Sequence, residues 1–323
     1  DFLDYFVAAT NHQYMLFSTE KGKCFWLRVF EIPEGSKISK GRAVQNLINI
    51  EPDDKIKAYI RTNDLKDQEY INKMNVVMIT KNGTIKKTSL EAYSRPRTNG
   101  VNAIEIRDND QLLGARLTDG NSEIMIATKD GKCIRFPEEK ARAVGRGSIG
   151  VRGITLSEGD EVIGMIVVND VQNETVLVVS ERGYGKRTAV EDYRITNRGG
   201  KGVITLNITE KTGNLIAIQM VTDDDGLMII NKSGVAIRMG MDEMRVMGRN
   251  TQGVKVINLK KNDEIAAIAK VEMDKEVIIE EGEIIEGAED QEEGTPVIEA
   301  GSDTDNEIIQ PEENKDSEDE SEE

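Results

Sequence analysis

A short hairpin turn recurs five times along this chain, as Lys21-Gly22, Asn82-Gly83, Asp130-Gly131, Arg182-Gly183 and Ser233-Gly234, at spacings of 61, 48, 52 and 51 residues. Asn-Gly and Asp-Gly pairs favour such turns because their backbone must take positive φ. An apolar strand precedes each turn (YMLFST, VVMIT, EIMIAT, TVLVVS, LMIIN), and a second follows it (CFWL, TIKKT, CIRF, YGKRT, VAIRM). A repeat of this length limits the fold more than any single motif does.

Two further anchors complete the unit. A third strand opens at Gly100-Val101, Gly150-Val151, Gly202-Val203 and Gly253-Val254, with Asn46-Leu47 in the first unit. A fourth follows a turn at Asp53-Asp54, Asn109-Asp110, Gly159-Asp160, Thr212-Gly213 and Asn262-Asp263. Four short strands in about 50 residues are the signature of a propeller blade. One blade cannot bury its own faces, so successive blades must stack. The reading is an all-β, propeller-like repeat domain. Five complete blades are expected over about 13–62, 75–119, 120–170, 171–223 and 224–273. Residues 63–74 form a polar insertion. Tyr5 to Thr10, within residues 1–12, resembles the fourth strand of a further blade, which makes six in the parent domain. The opening Asp1-Phe2-Leu3-Asp4 suits a piece cut from a longer chain.

The charge is divided. The whole chain carries 42 Lys plus Arg against 59 Asp plus Glu, net −17, yet Val271 to Glu323 alone holds 23 acidic and 2 basic residues. The preceding body is therefore mildly basic. Residues 275–323 have too little apolar content to order themselves and are expected to be a disordered acidic tail. A basic body with an acidic tail suits contact with a polyanion, for which the tail would compete. No apolar run is long enough to span a membrane, and no secretory pattern opens the chain.

Catalytic signals are weak. His12 is the lone histidine and has no cysteine or carboxylate framework around it. Cys24 and Cys133 occupy the same station in two units and read as strand-core residues. Gly183 to Thr188 lacks the spacing of a phosphate loop.

The repeated basic residues carry more information. An arginine lies four or five residues before each third strand: Arg42, Arg97, Arg146, Arg198 and Arg249. A second basic residue follows the hairpin glycine by four: Lys87, Arg135, Arg187 and Arg238. The first unit has Trp26 there, with Arg28 two residues on. Stacked blades would turn both ranks into a belt, with Lys201 beside Arg198. Such a belt binds phosphates without reading base sequence.

With these features in hand, FVAATNHQYMLFSTEKGKCFWLRVFEIPEG, GRAVQNLINIEPDDKIKAYI, NGTIKKTSLEAY, GVRGITLSEGD, GYGKRTAVEDY and VMGRNTQGVKVI make the chain resemble the C-terminal domain of the DNA gyrase A subunit over about 1–273. The resemblance implies a six-bladed β-pinwheel whose blades exchange strands and whose basic perimeter wraps double-stranded DNA in a positive sense. It implies a parent type IIA topoisomerase that supercoils DNA negatively. Its partners are the gyrase B subunit together with the rest of the A subunit, in an A2B2 heterotetramer that is cytoplasmic and nucleoid-associated. ATP and Mg2+ are used elsewhere in that enzyme, so no cofactor is expected in this chain. The family's Q-R-R-G-G-K-G box lies in its first blade, which would precede Asp1. Arg198-Gly199-Gly200-Lys201-Gly202 keeps its last five letters in the fourth unit. The alternatives are the corresponding domain of the A-type subunit of topoisomerase IV, a propeller used as a protein-interaction platform, and an enzyme with a funnel site.

Overall fold

The computed structural model describes residues 9–35, 41–260 and 263–272. The chain divides into two units, Asp1–Lys275 and Glu276–Glu323, and the architecture below is that of the first. The expected acidic tail lies outside the described residues.

Five antiparallel sheets follow one another in a propeller-like arrangement. In the first, the hairpin Tyr14–Thr19 and Lys23–Arg28 is flanked by Ile56–Thr62 on one side and by Val101–Asn102 on the other. That last strand belongs to the second unit. Thr84–Ser89 likewise receives Val151–Arg152 from the third unit, Lys132–Pro137 receives Val203–Ile204 from the fourth, and Tyr184–Ala189 receives Val254–Lys255 from the fifth. Units two to five thus give their third strands to the blade before, the exchange that the resemblance implied, whereas the first unit's expected third strand at Asn46-Leu47 is corrected to a 3-10 turn, Val44–Asn46. The fifth sheet, built from Asp225–Asn231, Ala236–Gly240 and Ile265–Glu272, has three strands among the described residues. The fifth unit has its four expected strands, but the third, Val254–Lys255, pairs in the fourth sheet, which leaves three in the fifth. It has no following unit in the described residues to supply its outer strand. Five sheets are described rather than six, and the strand remnant assigned to Tyr5–Thr10 falls mainly on residues 1–8, outside the described residues.

The exchange explains the recurring glycines. The amide of Ala103 donates to the carbonyl of Gly22 at 2.8 Å, and that of Thr205 to Gly131 at 2.8 Å. Gly22 and Gly131 have φ of +86° and +73°, and a Cβ on either would lie 2.4 Å from the carbonyl oxygen of Ile104 or Leu206 in the next unit. Only glycine lets the incoming chain approach this closely. The acidic turn has an equally local purpose. The Asp54, Asp110 and Asp160 side chains accept the backbone N–H of Lys21, Asn82 and Asp130, tying each fourth-strand turn to its own hairpin turn.

Apolar layers fill the seams between blades. Leu16, Trp26 and Ile60 of the first blade meet Met78, Leu90 and Tyr93 of the second in one cluster. Met125 and Cys133 of the third meet Val176, Val178 and Tyr193 of the fourth in another. Because neighbours cover both faces, the hairpin strands are buried along most of their length, and their apolar residues run continuously instead of alternating. Cys24 and Cys133 are free thiols buried in these layers, and burial pushes the Cys24 thiol up to about 12. The insertion at 63–74 is less polar in effect than its sequence suggests. It holds a short helix, Gln68–Lys73, capped by the Asp67 carboxylate, and buries Leu65 and Ile71.

Candidate nucleic-acid interface

In units three to five the loop between the second hairpin strand and the third strand, which opens in the first two of them with a 3-10 turn at Glu138–Lys140 and Val190–Asp192, lies along the blade before it. Its backbone adds a parallel bridge to that blade's second hairpin strand, at Lys87 with Ala143, Arg135 with Ile195 and Arg187 with Val246. The exposed side of these three seams is therefore fixed to two blades at once.

Within this frame the two basic ranks part company. Lys87, Arg135 and Arg187 are 8%, 6% and 3% exposed. Arg135 Nη1 donates to the carbonyls of Val190 and Tyr193 at 2.8 and 3.0 Å, and its Nε pairs with Glu123 at 2.5 Å. Arg187 makes the same contacts one seam later, to the carbonyls of Met241 and Met244, and pairs with Asp223. Lys87 donates to the Glu138 carbonyl at 3.2 Å and lies 3.5 Å from its carboxylate. These three are corrected from belt residues to seam residues. Their heads satisfy carbonyls of the turn that follows the next blade's second hairpin strand, at Glu138, at Val190 and Tyr193, and at Met241 and Met244, where an unpaired polar group would be costly. Arg238 holds the same register station opposite Met228 and is exposed, since no later unit covers it among the described residues. Arg28 is set apart from both ranks. It pairs with Glu31 at 2.7 Å and stacks over the Phe30 ring at 4.4 Å.

The other rank stays at the surface, in two forms. Arg198 donates from Nε to the carbonyl of Lys140 at 2.9 Å and from Nη1 to that of Arg152 at 3.1 Å. Arg249 repeats this one blade on, with Asp192 at 3.1 Å and Ile204 at 3.0 Å. Two of five N–H groups are engaged, which fixes each guanidinium plane across its seam. Arg146 is half-buried, while Arg42, Arg97 and Lys201 are exposed. The five arginines share a loop but not one environment. In the stretch Arg198 to Gly202, the carbonyls of Gly199 and Gly200 accept the Thr155 hydroxyl and amide at 2.6 and 2.9 Å. An open groove of about 610 Å3 lies beside it, lined by Arg107, Arg152 and Arg198 and also by Asp108 and Asp110.

Sequence reasoning missed three exposed arginines, Arg142, Arg194 and Arg245. Each precedes a rim arginine by four residues, and that spacing, repeated in three successive units, was the signal available. It also missed Lys86 and Lys186, buried beneath two of the arginine turns. Burial and the nearby Arg146 or Arg249 bring both ammonium groups down to about 8. His12 is exposed. Among the described residues, no group of three or more His, Cys, Asp or Glu could hold a metal ion, and no helix is long and apolar enough to cross a membrane.

Strand-exchanging blades with arginine-bearing seams define a propeller-like repeat domain whose exposed seams suit a polyanion. The comparisons agree on the fold. The model of the DNA gyrase C-terminal domain, beta-propeller, matches residues 13–63, 75–119, 122–169, 174–222 and 227–272. The DNA gyrase A subunit of Staphylococcus aureus (strain NCTC 8325 / PS 47) is 43% identical over 276 residues, which is 85% of this chain and 31% of that protein. A crystal structure of the C-terminal domain of DNA topoisomerase IV superposes with a TM-score of 0.72 at 25% identity, covering 81% of this chain and 80% of its own. A structure of the DNA gyrase A C-terminal domain does so with a TM-score of 0.68 at 23% identity, covering 83% and 89%. The chain belongs to the DNA gyrase C-terminal domain family. It spans about a third of the length of the curated relatives it matches.

Proposed function

We propose that this domain binds double-stranded DNA along its cationic seams, without sequence preference, and wraps it within the A subunit of a DNA gyrase. The observation that supports this most directly is the repeated geometry at successive seams. Arg198 and Arg249 are held by equivalent pairs of carbonyls, and Arg194 and Arg245 stand exposed four residues earlier. Guanidinium groups fixed at regular intervals suit phosphates spaced along a duplex. Smooth bending costs on the order of 1–6 kcal/mol for a site of 20–30 bp, so contacts from several blades must act together. Wrapping in a positive sense would present the rest of the enzyme with a crossing whose passage yields negative supercoils. In this reading the partners are the gyrase B subunit together with the remainder of the A subunit, forming an A2B2 assembly in the cytoplasm on the nucleoid.

The second reading is the corresponding domain of topoisomerase IV, favoured by the higher TM-score of that structure. The 43% identity to a gyrase A subunit outweighs it. Religating nicked circular DNA in the presence of the domain tests wrapping. A linking-number shift that grows with protein concentration is expected. Binding without any shift would remove wrapping from the account, and no binding to duplex DNA at low salt would remove the DNA reading.

A further inference from the structure

Lys86 and Lys186 are 1% and 0% exposed, and the packing of the blades does not require them. They occupy one station in their sheets, opposite Met78 and Val178. At the same station the first blade has Phe25, opposite Phe17, and the third has Ile134, opposite Ile126. An apolar side chain therefore suffices there. Burying an ammonium is unfavourable unless its donors are taken up. These donors are taken up by the rim turns, joined at Lys86 by the Ala103 carbonyl of its own unit. Lys86 Nζ donates to the carbonyl of Ala103 at 2.6 Å and to that of Arg146. Lys186 Nζ donates to the carbonyls of Gly248, at 2.8 Å, and Arg249, and to the Thr251 hydroxyl at 3.2 Å.

We propose that Lys86 and Lys186 are positioning residues for the rim: each ammonium pins the turn that carries Arg146 or Arg249, and an anion held by that arginine stabilises the ammonium in return. The second half rests on the reading of the rim as a DNA-backbone site. Arg146 is the charged group that opposes Lys86, and Tyr93, whose hydroxyl donates to the same Ala103 carbonyl at 3.3 Å, is uncharged beside it. Lys186 is opposed by Arg249 and favoured by Asp192. Burial, and secondly the arginine, leave each ammonium ready to lose its proton near pH 8. A phosphate on the arginine offsets that repulsion, so DNA binding takes up protons just above this pH. The turns of Arg97 and Arg198, which lie over Phe25 and Ile134, have no such linkage.

The test uses Lys86→Ile and Lys186→Ile, singly and together, because isoleucine already fills this station in the third blade. Amide hydrogen exchange reads the pin without DNA. Lys86→Ile should speed exchange at Gly147 and Ser148, Lys186→Ile at Asn250 and Thr251, and the Arg97 and Arg198 turns should keep their rates. Binding of a mixed-sequence duplex at fixed ionic strength reads the coupling. Wild-type affinity should fall several-fold from about pH 7 to about pH 9, and that of the double variant should change much less. Unchanged exchange at both turns, or the same pH dependence in the double variant as in wild type, would overturn the proposal. If wild type binds no duplex, the DNA reading fails and the exchange data still decide the pin.

Discussion

The indole N–H of Trp26 donates to the carbonyl oxygen of Tyr93 at 2.9 Å, across the seam between the first two blades. Arg135 meets the carbonyl of Tyr193 at the same station two blades on, at 3.0 Å. A neutral donor and a charged one thus do the same work. The seam needs an N–H at this point, not a cation, which explains how a rank of basic residues can look like a DNA belt in sequence and yet be buried.

Replacing Arg135 with alanine should therefore reduce stability rather than DNA contact. It strips hydrogen bonds from the Val190 and Tyr193 carbonyls and leaves Glu123 unpaired. Removing one partner of such a buried network is worth about 3–5 kcal/mol. Urea unfolding should show a loss of this order, while the salt slope of DNA binding by the folded protein stays as in wild type.

Gly131→Ala should be costly at a position that is not part of the rim. The new Cβ would require the Leu206 carbonyl to retreat from 2.4 Å, at a residue with φ of +73°. Strain of this kind costs about 1–3 kcal/mol before the clash is counted. Thermal denaturation should show the loss, and amide exchange should quicken first at Thr205 and Leu206, whose N–H groups bond to the Gly131 carbonyl.

The hairpin glycines, the acidic turns and the Gly-Val starts were legible in the sequence because each repeats at a fixed offset and has a backbone purpose. The receiving partner of the third strand was not. Val101 pairs with Cys24 in the preceding unit, and the two-residue pairing leaves no pattern that sets it apart from a strand within its own unit. The rim arginines were legible as a rank. The division between Arg187, buried, and Arg249, half-buried at the rim, was not, since both stand next to glycine-rich loops and differ only in which blade closes over them. Lys86 and Lys186 went unnoticed because lysine in a strand reads as an exposed position, and here the next unit's turn covers it.

A stability–pH profile should carry the mark of those lysines. Their folded-state pKa, about 8, lies below the unfolded lysine value. Between roughly pH 8 and pH 10.4 the unfolded chain holds more protons at these two sites, so their contribution to stability rises with pH in that window and is flat below it. Wild type minus the Lys86→Ile/Lys186→Ile variant isolates this contribution from surface lysines such as Lys21, whose pKa is raised by Asp53 and which acts in the opposite direction. A difference curve that stays level across the window would contradict the assignment.

The most direct test of the central claim, that cations at the exposed seams hold the DNA backbone, is the salt dependence of duplex binding by the Arg142→Ala/Arg194→Ala/Arg245→Ala variant. All three side chains are exposed, so the fold should survive their loss. Binding should weaken for every sequence tested, and the log K against log salt slope should be shallower by about 0.9 for each phosphate contact removed. A wild-type slope in a folded variant would contradict the claim.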